Sequence, residues 1–459
     1  MDAASSIVSR GATIVDQPSR AYGSEPVGRM NALFLVIAVA LMVRSLTASR
    51  LDRWNIGAPL IMVLAGVGVG IVNEHSIAAL LNTQGMQQAA EIILAVLLFT
   101  DATEVRGGRL WGGSPGPVAR VLLLALPLSL GLAMVLGWLL FPGLPWPVLL
   151  LIAGVVVPTD FAPAERLVRD RGLPTHVRSV LNVESGYNDG IVSPLFLFAL
   201  ILAGDHDQAR TPLAALGTAV PFALKAVGVG VVLGTVLAVL MDRAHRAGWM
   251  TGQSGRIAIL LAPLLTYTVT VGIDGNGFVA SFVCGIAFRY VHRLIKVRRL
   301  RRAPADRGMD RARALREDFH LLEDFTTVLT MTMWFMVGVA AVLVVTIGVS
   351  WQVVLFCVAA LTVVRLVPVL ISLIGSGFSP RERLLVGVLG PRGTTSIVFG
   401  LLAFNRLPEG TVADNILNIT VMCVLGSVLV HGLGARPATR LLMRTRKPGP
   451  ATTAPEHPA

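Results

Sequence analysis

Charge is what this 459-residue chain lacks: only 14% of its residues are Asp, Glu, Lys or Arg, against about 25% in soluble globular proteins. With 54% of its residues hydrophobic, it cannot cover a water-facing surface, which excludes both a soluble domain and a disordered chain. Cysteine is scarce too. Cys284, Cys357 and Cys423 fall singly within apolar runs with no CxxC spacing, so they read as small buried hydrophobes rather than a disulfide or thiolate framework. The eight histidines are scattered, mostly in loops, without ligand spacing, which argues against a transition-metal site. No Walker lysine motif, nucleotide glycine fingerprint or GxSxG elbow occurs, which argues against primary pumping. The polar stretch before Met30 lacks a basic-then-apolar order ending at small residues, so no removed signal peptide is expected.

What the chain does have is apolar runs. A spanning helix needs roughly 20 mainly apolar residues, and the sequence predicts an all-α membrane protein with about thirteen such spans. They lie near 30–47, 57–73, 88–103, 117–141, 146–164, 177–203, 213–241, 256–273, 276–290, 325–347, 351–375, 382–405 and 413–435. The basic residues test this frame, because Lys and Arg accumulate in cytoplasmic loops. With the N-terminus outside and the C-terminus inside, thirty of the 39 Lys and Arg fall in inside segments or at the inner ends of spans, five (Arg10, Arg20, Arg29, Arg210, Arg406) outside, and four (Arg44, Lys225, Arg365, Arg392) within spans. The net charge of +12 is therefore mostly an inner-face feature, suited to orientation and anionic lipid rather than nucleic acid. Residues 1–29 form a polar extracytoplasmic segment, 30–435 the transmembrane domain, 291–324 a basic cytoplasmic linker with an expected surface helix, and 436–459 a disordered tail.

Ionisable groups at membrane depth are costly, about 2.5–3.5 kcal/mol each even on insertion scales, and by default mark function. The densest cluster joins Val157-Pro158-Thr159-Asp160 in the fifth span to Glu184-Ser185-Gly186-Tyr187-Asn188-Asp189-Gly190 in the sixth. At helical spacing Ser185 and Asp189 share a face, and Asp189 falls about 16 Å from the inner end of its span, near mid-bilayer. The antiparallel fifth span can bring Asp160 to Asp189. Two carboxylates, two hydroxyls and carbonyls freed by Pro158 and Pro163 make an oxygen-rich pocket suited to a hard cation or to protons. Gly390-Pro391-Arg392-Gly393 breaks the twelfth span. Proline-interrupted spans seven apart run in opposite directions, the pointer to an inverted-repeat transporter with a midplane site. Arg365 lies deep in the eleventh span and needs an anion. Glu184 is the natural partner for it, with Arg392 the second candidate. Asp101 is an accessory relay or a snorkelling acid, while Glu91 and Lys225 read as helix-end or packing residues.

These motifs, in this order and over roughly residues 30–435, resemble the signatures of the monovalent cation:proton antiporter-1 family, the sodium/proton exchangers. The resemblance implies a homodimer in the plasma membrane, with a dimerisation domain and a core domain built on two broken, crossing helices. It implies Asp189 as the essential carboxylate, with Asp160, Ser185 and Thr159 completing a sodium site, Asn188 orienting an aspartate, and Glu184 with Arg365 as a structural ion pair. A neutral Asn188 before Asp189 resembles the electroneutral branch. Relatives often carry proline directly after the fifth-span aspartate, where this chain has Phe161. No cofactor is implied beyond the transported sodium ion and proton. The rivals are a potassium/proton exchanger of the same fold and, remotely, an intramembrane aspartyl protease, whose Gly-x-Gly-Asp element is absent here.

Overall fold

The computed structural model describes residues 25–53, 57–72, 81, 84–104, 114–161, 173–204, 212–301 and 318–433. Every one of the thirteen apolar stretches coincides with helix among these residues, and none of them forms a strand. The helices are α1 (Glu25–Arg53), α2 (Ala58–Val72), α3 (Gln84–Glu104), α4 (Pro115–Leu140), α5 (Trp146–Val156), α6 (Thr175–Gly204) and α7 (Pro212–Arg246). There follow α8 (Gly252–Gly272), α9 (Gly277–Arg301), α10 (His320–Ile347) and α11 (Trp351–Ser372), the last interrupted at Thr362. Then come α12a (Pro380–Val388), α12b (Thr394–Arg406) and α13 (Thr411–Ser427), which continues as a wider turn through Val428–Leu433. Eight of these helices are long and apolar enough to cross a membrane, and α2 and α5 are shorter apolar ones.

Local chemistry explains several boundaries. α12a starts on a capping box, in which the Ser379 hydroxyl accepts from the Glu382 N–H while Glu382 reaches back to Ser379 N–H. α8 starts on the same device between Thr251 and Ser254. Its far end is capped by Lys225, whose ammonium donates to Ile273 O at 3.0 Å, a cation meeting the negative end of a helix. The ninth span is longer than the sequence suggested, because α9 carries its helix through basic residues to Arg301. The expected linker 291–324 is thus partly the adjoining ends of α9 and α10, while 302–317 and the tail 436–459 lie outside the described residues. Just before α10, Asp318 accepts from His292 at 3.1 Å and from Lys296. Burial alone would push this carboxyl up, but the hydrogen bonds and charges of His292 and Lys296 outweigh it and hold Asp318 below its ordinary value.

Packing separates the helices into two groups. α2, α3, α7, α8, α9 and α10 pack mainly on one another, and so do α4, α5, α6, α11, α12 and α13. In lipid, helices associate where small residues let backbones approach. α2 meets α10 in this way: a Cβ on Gly66 would run into the Phe335 carbonyl, and one on Gly338 into that of Val63. The large side chains left exposed, such as Leu35, Met42 and Leu46 on α1 and Leu224, Val232 and Leu240 on α7, are apolar, as a surface outside water requires. The groups meet where α12b packs on α3, where α10 packs on α13 and α12b, and where α6 touches α3, α7 and α9.

Candidate ion site

Both proline-marked helices are broken in the second group. α5 stops at Val156 because Pro158 has no N–H to give, and Val157–Phe161 continue without helix. α12 is interrupted between Val388 and Thr394, around Pro391. The two breaks are bonded to each other, with Asp160 N–H donating to Pro391 O at 2.9 Å.

Across this junction the carboxylates are held by the start of α12b. Asp160 Oδ2 accepts from the Thr394 N–H at 2.7 Å, a negative group on the unsatisfied donors of a helix N-terminus. Only glycine fits the preceding position, since a Cβ on Gly393 would run into the Asp160 carboxylate. Asp189, on α6, is 2% exposed, and its Oδ2 accepts from the Thr395 hydroxyl at 2.6 Å. Its neighbour Asn188 donates from Nδ2 to Thr159 O at 2.9 Å and to Thr159 Oγ1 at 2.7 Å. Asn188 therefore fixes the residue before Asp160 rather than either carboxylate. Ser185 is half-buried one turn before Asp189. Among the nine buried side-chain polar atoms without a hydrogen-bond partner in the described residues, three belong to the motifs that meet here: Asp189 Oδ1, Asn188 Oδ1 and Ser396 Oγ. Buried polar atoms are normally satisfied. Orphaned oxygens on adjacent residues of α6, beside a second acid, are what a site awaiting a proton or a bare cation presents.

The two arginines that sequence reasoning left as alternatives have separate duties. Arg365 pairs with Glu184 through both guanidinium nitrogens, one bond measuring 2.9 Å, and also donates to Val386 O at 3.2 Å. Arg392 is not Glu184's partner. It is 1% exposed and donates to backbone carbonyls: Gly390 at 2.7 Å, Ala360 at 3.3 Å and Val156 at the end of α5. Its cation gathers carbonyl groups that the interruptions in α5, α11 and α12 leave without N–H partners. Its own N–H donates to Ser427 Oγ at 2.7 Å. His431, one turn on, sits 3.2 Å from that hydroxyl by Nδ1 and 3.1 Å from Val388 O by Nε2. Nδ1 lies equally close, 3.2 Å, to the Ser427 carbonyl, so the ring is held between two carbonyls and the hydroxyl. α13 thus clasps both edges of the α12 break.

Asp101, half-buried near the end of α3, is one residue past Thr100, whose hydroxyl lies 3.0 Å from that of Thr326. Glu91 at the other end of α3 accepts from Gln87, from the Tyr267 hydroxyl at 2.7 Å and from Arg406 at 2.7 Å. Pro163 lies outside the described residues. Sequence reasoning missed Thr394, Thr395, Ser396, Ser427 and His431. A run of three hydroxyl residues directly after a glycine-proline break was the signal available for the first three.

Known proteins resemble this chain in sequence and in fold. A family model for the transmembrane sodium/hydrogen exchanger matches residues 36–441. The chain is 27% identical over 378 residues to a Na(+)/H(+) antiporter of Schizosaccharomyces pombe, covering 75% of each. It is 22% identical over 428 residues to the K(+)/H(+) antiporter NhaP2 of Shewanella sp. strain MR-4, covering 92% of this chain and 69% of that one. The solved sodium proton antiporter MjNhaP1 from Methanocaldococcus jannaschii at pH 8 matches with a TM-score of 0.67 at 20% identity, over 90% of this chain and 99% of the other, a likeness of fold. The expected fold and resemblance are borne out: this multi-pass, all-helical membrane protein, a secondary transporter and not an enzyme, belongs to the sodium/hydrogen exchanger family.

Proposed function

We propose that this protein exchanges sodium, with lithium as a second cargo, for protons by alternating access, with Asp189 as the group both passengers need. The observation that carries the reading is the buried, unshared Oδ1 of Asp189, whose other oxygen is bonded to the same helix start that holds Asp160. In a low-dielectric pocket a lone carboxylate oxygen is unstable until a proton or cation takes it, and the one oxygen that Thr395 leaves unshared cannot serve both. Occupancy by one therefore excludes the other. If the empty, doubly anionic state crosses poorly, the two fluxes are coupled.

In this reading Asp160, Asp189, Ser185 and Thr159 hold the cation, Asn188 keeps Thr159 and hence Asp160 in place, and Asp101 is an accessory group on the path. Glu184 and Arg365 act as a strut, and Arg392 secures the broken helices. The partners are monovalent cations, protons, lipid and a second copy of the chain. The setting is the plasma membrane, with the N-terminus outside and the basic face inside. Rates are expected to be bell-shaped in pH, since acid fills the site with protons and alkali starves it of them.

The test is proton movement in everted vesicles under sodium, lithium and potassium in turn, for wild type and Asp189→Asn. Wild type responds to sodium, and the variant inserts but exchanges nothing. Sodium-dependent proton movement surviving in Asp189→Asn would overturn the assignment. A potassium preference is the second reading, supported by the 92% coverage of this chain against a potassium/proton antiporter. A response to potassium alone would establish it.

A further inference from the structure

Thr395 lies outside the ligand set argued above, yet it is the hydrogen-bond partner of the central carboxylate: its hydroxyl donates to Asp189 Oδ2 at 2.6 Å, and both residues are 2% exposed. The two oxygens of Asp189 are thereby unequal, one occupied by a neighbouring helix and the other orphaned. The donor comes from the second residue of α12b, whose first residue holds Asp160 through its N–H. One short stretch, Gly393-Thr394-Thr395, therefore grips both acids, Asp160 through an N–H that a helix start leaves free and Asp189 through a hydroxyl.

We propose that Thr395 is a positioning residue that sets the balance between proton and cation at Asp189, by stabilising the carboxylate form and leaving Oδ1 to the passenger. The inference rests on the exchange reading above. A hydrogen bond donated to a carboxylate favours its charged form, and bonds to charged groups are among the stronger ones. Removing the donor lets protons compete better, so the acidic limb of the exchange profile moves to higher pH. The alkaline limb moves the same way, because the site then holds protons where they are scarcer. A residue that merely filled space would lower the rate at every pH without moving either limb.

The experiment compares wild type, Thr395→Val and Thr395→Ser, full length, in vesicles, reading sodium-dependent proton movement against pH and sodium concentration. Valine keeps the shape and loses the donor; serine keeps the donor. The expected result is an alkaline shift of about one pH unit for valine. That equals about a tenfold rise in apparent KM for sodium on the acidic side, with KM unchanged at alkaline pH. Serine behaves like wild type. Should valine fail to insert, Thr395→Ala carries the same expectation. An unshifted profile in the valine or alanine variant overturns the inference, as does an equal rise in KM at all pH, which would make Thr395 a cation ligand. A shift as large in serine as in valine also overturns it, because the donor would then be irrelevant. Absence of sodium-dependent proton movement in wild type would instead defeat the exchange reading, and this inference with it.

Discussion

Glu184 and Arg365 show what a buried charge requires. Each satisfies the other through two bonds, and a Cβ on Gly390 would run into the arginine side chain, so the break in α12 leaves room for it. Such a pair adds little net stability against an apolar alternative, but breaking it strands a charge at about 3–5 kcal/mol. Glu184→Gln is therefore expected to lower the melting temperature of the detergent-solubilised protein sharply, and Glu184→Gln with Arg365→Gln to recover much of the loss. A double variant as unstable as the single would show that the pair's worth lies elsewhere. At this scale the sequence was partly legible. Acids and arginines stand out against an apolar background because each is expensive there, so Asp160, Asp189, Glu184 and Arg365 could be picked out by depth alone. Arg392 was visible for the same reason, but carbonyl partners leave no mark in a sequence, and its duty could not be read. Thr395 did not stand out because threonine is cheap in a membrane helix, and only its place in the hydroxyl run after the break marked it.

The breaks are the elements that matter, and they are held rather than loose. Arg392 N–H, Ser427, His431 and the Val388 carbonyl form one connected chain from α12 to α13 and back to α12. Groups bonded in series support one another, so losing one link weakens the rest. His431→Leu leaves the Val388 carbonyl and the Ser427 hydroxyl short of a partner, and Ser427→Ala leaves the Arg392 N–H so. Each is expected to cost about 1–3 kcal/mol in thermal or denaturant unfolding. The two together should cost little more than either alone, where independent sites would add. The helices themselves were legible because twenty apolar residues admit one structure in lipid. Ends of helices were less so: α9 continues to Arg301 because long basic side chains reach water from the inner end of a helix, which a hydropathy count scores as loop.

Across the whole molecule, alternating access demands that contacts between the two helix groups on one side be temporary. Glu91 marks such a contact. Gln87 on its own helix and Tyr267 on α8 belong to its group, while Arg406, at the end of α12b, reaches it from the other. In the proposed topology all four lie at the outer face, on the ends of α3, α8 and α12b. The ion pair is half-exposed on the arginine side, so its static worth is small, about 0–1 kcal/mol. A weak bond is what a repeatedly opened closure needs, since a strong one would hold the cycle in a single state. If α12b moves against α3 as the site turns outward, Arg406 and Glu91 must part in every turnover. Glu91→Cys with Arg406→Cys, in a background without native cysteines, can be bridged by a reducible bifunctional methanethiosulfonate. Bridging is expected to cut exchange by more than tenfold and reduction to restore it, while either single cysteine is unaffected by the reagent. Exchange at full rate in the bridged protein would mean that these two helix ends travel together, and that the moving boundary runs elsewhere in the fold.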